Sequence, residues 1–84
     1  MENRIDTIIT LSNDTKHMVL DQGNYHGKCY FLTSILDNEE NLTGNLTILE
    51  ERKSNYVTTV KLVNDEKLLK ALIKYFIKRA GVDA

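Results

Sequence analysis

Two histidines and one cysteine are the side chains best suited to ligate a metal or move a proton near neutral pH. Two of the three lie close together in His26-Gly27-Lys28-Cys29, with His17 upstream. A structural zinc site needs about four nitrogen or sulfur ligands in a tetrahedral array. One cysteine and two scattered histidines fall short of that set, so neither a metal nor a cofactor is expected. Cys29 reads as a small apolar side chain within a strand, and both histidines read as surface residues. The same thiol would act as a nucleophile only beside a base that is itself held by a third group. The sequence shows no such constellation, and a non-enzymatic protein is the expectation.

The charged residues are arranged with more direction. Asp37-Asn38-Glu39-Glu40-Asn41 groups three carboxylates in one short stretch. As a calcium loop it fails at the sixth position, where an EF-hand turn needs glycine and this chain has Leu42. It reads instead as a solvated loop whose Asp37, Glu39 and Glu40 can face a basic partner. Further along, Lys67, Lys70, Lys74 and Lys78 recur at helical spacing with Arg79 nearby. Such an ammonium row can meet an acidic protein surface or, as the alternative, the phosphates of a nucleic acid. Asn13-Asp14-Thr15, Asn41-Leu42-Thr43 and Asn45-Leu46-Thr47 fit the glycosylation acceptor pattern. In a chain without a positive start and a following apolar run, they read as turn chemistry.

The elements that must position these groups follow from the apolar pattern. Ile5, Thr7, Ile9 and Leu11 alternate on one face of a β-branched run, predicting a strand over 5–11. Ser12-Asn13-Asp14 supplies a tight reversal into a second strand over 15–21, where His17 and Val19 oppose Met18 and Leu20 and the inner face is left open. Gln22 to Gly27 carries two glycines and reads as a turn or bulged connection into a third strand over 28–35. That strand is apolar on both sides, Cys29, Phe31, Thr33 and Ile35 against Tyr30 and Leu32, which argues for a central position. Gly44 leads into a fourth strand over 46–50, and Ser54-Asn55 turns the chain into a fifth over 56–63.

The last segment predicts a helix over 65–80, capped by Asn64, with Asp65 and Glu66 facing the positive end of the dipole. Gly81 stops it, and Val82-Asp83-Ala84 reads as frayed. At about 100° per residue, Leu69, Leu72, Ile73, Phe76 and Ala80 share one side and the lysines the other. The fold class is therefore α+β, an antiparallel meander of about five strands packed by one C-terminal amphipathic helix, in a single domain over 1–84. Periodicity does not distinguish an open sheet from a closed barrel.

Composition bounds the rest. Ile, Leu, Val and Phe make up 25 of 84 residues, enough to fold but with room for one core only. The net charge of −1 gives no general attraction for a polyanion, although residues 1–55 carry a net −4 and residues 56–84 a net +3. No apolar run approaches the roughly 20 residues that span a bilayer. A lone cysteine and the lack of a secretory pattern point to a reducing cytoplasm.

Ile8-Ile9-Thr10-Leu11-Ser12, Gly27-Lys28-Cys29-Tyr30-Phe31-Leu32, Ile48-Leu49-Glu50-Glu51 and Val63-Asn64-Asp65-Glu66-Lys67-Leu68-Leu69 follow one another in a characteristic order. In this the chain resembles small uncharacterised proteins of Gram-positive bacteria, their phages and mobile elements. His17 departs from the aromatic residue usual there. These are motifs of structure, and the resemblance implies no catalytic residues. It does imply a partner among host proteins, a defence nuclease included, as with anti-CRISPR proteins. Small size, absent chemistry and oppositely charged regions together lead to a protein–protein interaction module, contacting its partner through the lysine row or the acidic loop. A homodimer through an open sheet edge and a nucleic-acid-binding accessory role are the alternatives.

Overall fold

The computed structural model describes residues 3–81. The chain forms β1 (Ile8–Thr10), β2 (Lys16–Tyr25), β3 (Lys28–Leu36), β4 (Leu42–Ser54), β5 (Val57–Leu62) and α1 (Glu66–Arg79). Each strand pairs antiparallel with the next, in the order β1-β2-β3-β4-β5, so β3 is central and the sheet is the expected meander. Val82-Asp83-Ala84, expected to fray, lies outside the described residues.

The strand bounds move where local signals mislead. β2 continues through Gln22-Gly23-Asn24, which pair with Phe31, Tyr30 and Cys29, so most of the expected connection is ladder. The reversal itself is only His26-Gly27, at φ +50° and +81°, the geometry a two-residue hairpin with right-handed twist requires. Gly23 is not a turn residue at all; a Cβ there would sit 2.5 Å from Tyr75 Oη, so the missing side chain seats the helix. β4 begins at Leu42 rather than 46, and its first residues are solvent-exposed, leaving no apolar alternation to announce them. β1 is shorter than expected. Ile5 and Thr7 are exposed, although Asp6 N–H still donates to Val19 C=O at 2.8 Å.

Register shifts between Val19 and Asp21 and between Ser34 and Leu36 interrupt the ladders, and such bulges bend strands and raise their twist. The sheet is accordingly curled. On its inner side Ile9, Val19, Phe31 and Leu49 form one buried cluster with Leu11 and Val60 packed against it, so β1 through β5 all contribute. On the outer side Tyr30, Ile48 and Val63 pack with Leu72 and Phe76 of the helix. Both cores thus draw on alternate residues of the same strands, as the pleat dictates.

The helix cap is Asp65, not Asn64. Its carboxylate accepts from Lys67 N at 3.0 Å and Leu68 N at 3.4 Å, and an anion at this position also opposes the helix dipole, which a neutral amide would not. Gly81, at φ +74°, ends the helix. The buried face also differs from expectation. Leu72 and Phe76 are buried and Leu68, Leu69 and Tyr75 pack beside them, but Ile73 is 46 % exposed and Ala80 is exposed. A straight helix on the outside of a curled sheet touches it along a narrow line, so only a thin stripe can be covered. Tyr75 rests over Gly23 and against Tyr25, at 5.4 Å between ring centroids. Arg79 forks onto Asp21 through two 3.2 Å hydrogen bonds and lies 5.8 Å from the Tyr75 ring centre, clamping the last turn to β2.

His17 overturns the expectation that both histidines are surface residues. It is 2 % exposed and faces inward, whereas His26 is exposed at the hairpin tip. The side on which Val19 points, ambiguous in the sequence, is the inner one, and His17 shares it by period two.

Candidate functional site

The four lysines of the expected contact surface, Lys67, Lys70, Lys74 and Lys78, are all exposed on α1. Lys70 meets Glu66 one turn back at 3.7 Å; among the described residues the other three form no ion pair. A solvated i,i+4 pair of this kind contributes little, so the row keeps its positive potential. The acidic loop is exposed too, but less available. Asp37 accepts from the backbone N–H of Glu39 and of Asn41, both at 2.9 Å. These bonds, that to Asn41 foremost, hold its carboxyl below the usual carboxylate range. Glu40 reaches Lys16 at 3.4 Å, and Glu39 is exposed. The loop's own fold uses Asp37 and Glu40, and no ion pair joins it to the lysine row among the described residues.

Cys29 is partly buried on β3. Its side chain packs against the inner cluster, and burial, reinforced by Glu51, pushes the thiol up and favours the protonated form. Glu51 pairs with Lys53 at 3.7 Å, and Glu50 with Arg52 at 3.0 Å. With Cys29 these residues line a concavity of about 630 Å³. Among the described residues no three His, Cys, Asp or Glu side chains converge on a point that could hold a cation.

His17 forms a polar island in the inner core. Its Nδ1 lies 3.0 Å from Thr47 Oγ1 and 3.2 Å from Thr33 Oγ1, and the two hydroxyls are 2.7 Å apart. The bonds form a consistent chain if Nδ1–H donates to Thr47, Thr47 to Thr33, and Thr33 to the Thr47 carbonyl at 3.3 Å. Nε2 is then a buried acceptor with no partner. Burial lowers the pKa of the ring and favours its neutral form. The arrangement is structural: it fixes the register of three strands without presenting a reactive atom to solvent.

The feature with the most binding character was only partly visible in the sequence. Because the helix touches the sheet along a narrow stripe, one of its flanks stands off β3 and β4 and leaves a groove of about 390 Å³. Its walls are apolar. Leu32, Leu46 and Ile48 come from the sheet, and Leu69, Ile73 and Ile77 from the helix. Leu46 is 60 % exposed, Ile73 46 % and Ile77 38 %, three large apolar groups open to solvent around one depression. At about 100° per residue, Ile73 and Ile77 lie between the buried stripe and the lysine row, so Lys70 and Lys74 border the groove on its outer side. The helical pattern places Ile73 on the side of Leu69, Leu72 and Phe76 and gives Leu46 and Ile77 no such role. Ile77 carried a usable signal, since its angle falls outside the buried stripe. Leu46 carried none, because only the tilt of the helix decides which residues of β4 remain uncovered.

No helix among the described residues is long and apolar enough to cross a membrane. No family model, curated protein or solved structure matches the chain.

Proposed function

We propose that this chain is a non-enzymatic protein–protein interaction module. It takes an amphipathic segment of its partner into the groove between α1 and β3–β4. The observation that carries the reading is the clustering of Leu46, Ile73 and Ile77, exposed side by side along a concave line on a small domain. Apolar grooves of this shape recognise amphipathic helices through anchors spaced by about one turn. The lysine row supplies the second determinant: an acidic flank on the partner would meet Lys70, Lys74 and Lys78 while its apolar side lies on Ile73 and Ile77. The sequence resemblance supports drawing that partner from host proteins, a defence nuclease among them.

The test is capture from a host lysate with the wild-type chain, Ile73→Asp and the double variant Lys70→Glu/Lys74→Glu. The expected result is a stoichiometric protein retained by wild type, lost with Ile73→Asp, and weakened about tenfold or more by the charge reversals at low salt. Failure of wild type to retain any stoichiometric protein overturns the reading. Retention of nucleic acid that survives Ile73→Asp and vanishes with the charge reversals also overturns it, in favour of phosphate binding by the lysine row.

A further inference from the structure

A second surface, formed by the two edge strands of the sheet, offers backbone rather than side chains. The edge strands β1 and β5 are not hydrogen-bonded to each other. The curl nevertheless brings them to opposite walls of one cleft of about 590 Å³, lined from β1 by Ile8, Ile9 and Thr10 and from β5 by Thr58, Thr59 and Val60.

The pairing shows which backbone groups are free. Leu11 N–H donates to Thr15 C=O and Val19 N–H to Thr7 C=O, both at 2.9 Å. Alternation along an antiparallel pair then turns the amides and carbonyls of Ile8 and Thr10 away from β2. Likewise Val63 N–H donates to Ile48 C=O at 2.9 Å, and the unbroken β4–β5 register turns those of Thr58, Val60 and Leu62 away from β4. In a meander of alternating direction, the first and fifth strands run parallel to each other. One strand inserted between them is antiparallel to both and can bond to both.

The edges are only lightly guarded, Arg4 being the one charged residue that lines the cleft among the described residues. Proteins commonly blunt open edges with charge or proline, but Val57–Leu62 carries a single charge, at Lys61, and the chain has no proline. Beneath the cleft the inner cluster, with Ile9 buried and Val60 partly buried, supplies an apolar floor for alternate side chains of an incoming strand.

We propose that β1 and β5 form an open seat for one extended segment of a partner polypeptide, whose insertion antiparallel to both closes the curled sheet into a six-stranded barrel. A second copy is not the occupant. The seat needs a strand free on both edges, and among the described residues β2, β3 and β4 are paired on two sides and β1 and β5 on one. The occupant is an extended strand with small apolar residues at alternate positions, held mainly by main-chain hydrogen bonds.

The probe is a synthetic peptide alternating valine and threonine between lysine ends, at millimolar concentration, with amide exchange of the protein followed by NMR. The expected result is at least tenfold slower exchange at Ile8, Thr10, Thr58, Val60 and Leu62, with no change when the peptide is N-methylated at alternate positions. Thr58→Pro removes an amide that points out of the sheet, a site where an edge strand tolerates proline, and abolishes the protection. If that variant unfolds, the N-methylated peptide decides alone. Unchanged exchange at these amides overturns the proposal. So does protection that appears without peptide and grows with protein concentration, which would mean that the edges pair between copies. The groove variant Ile73→Asp should leave peptide protection intact, so this seat and the groove stand or fall separately.

Discussion

The inner face of the sheet and the face that carries α1 are made from alternate residues of the same strands, yet they are finished to different degrees. Inside, all five strands contribute, Phe31 and Leu49 are wholly buried, and even His17 is enclosed with its threonine partners. Outside, one helix covers a broad convex surface, seals Leu72 and Phe76, and leaves Leu46, Ile73 and Ile77 in water. A curled sheet can bury its concave side with its own strands, whereas its convex side needs more cover than a single helix supplies. The two faces therefore differ in closure: the inner cluster is enclosed by the strands themselves, whereas the helix face combines a buried stripe with apolar side chains left in water.

Truncation in the two cores tests that division most strongly. Phe31→Ala should lower the unfolding free energy by about 3–5 kcal/mol, a large share of what a domain of this size possesses, seen as a reduced urea midpoint. Leu72→Ala should cost about 2–4 kcal/mol and act first on the helix, with amides of Glu66–Arg79 exchanging well before those of β3. Simultaneous exchange of helix and sheet in that variant would show that the two faces are one cooperative unit.

A smaller effect probes the sealed histidine. Burial holds the pKa of His17 below its unfolded value of 6.5. The unfolded chain therefore binds more protons, and stability rises with pH across that interval. It is fully present above pH 6.5 and declines as the pH falls below it. Asp37, shifted down from 3.8, contributes only at more acidic pH. His17→Leu leaves Thr33 and Thr47 bonded to each other and should flatten the decline in stability below pH 6.5 in chemical denaturation. An unaltered slope would show that His17 is not held neutral by the inner core.

The smallest expected change in stability is the sharpest statement about the other face. Ile73→Asp replaces a half-exposed side chain and should shift the unfolding free energy by no more than about 0.5 kcal/mol, while removing partner capture. A loss of several kcal/mol would mean that the groove belongs to the core and would erase the contrast between the faces.

How far the sequence reaches is clear from particular residues. Phe31 and Tyr30, or Leu72 and Phe76, declare their faces because the periods of strand and helix are local properties of the backbone. The central place of β3 follows from its apolar residues on both sides, and the Gly81 stop from a conformation that few other residues adopt readily. The extent of β4 was not legible, since Leu42 to Leu46 belong to the ladder through backbone pairing while their side chains remain in water. Gly23 reads locally as a turn and is in fact a seat for Tyr75, a residue far along the chain. Likewise His17 is polar by type and buried by register, because Thr33 and Thr47 reach it from neighbouring strands.

The order of strands and helix, the amphipathic pattern and the exposed ammonium row are thus properties of the chain by itself. They depend on residues close in sequence and on the fixed geometry of the peptide backbone. The curl of the sheet, the narrow line along which α1 touches it, the uncovered groove and the facing of β1 and β5 were decided only by tertiary structure. Each depends on the accumulated twist and bulging of several strands, which no single segment encodes.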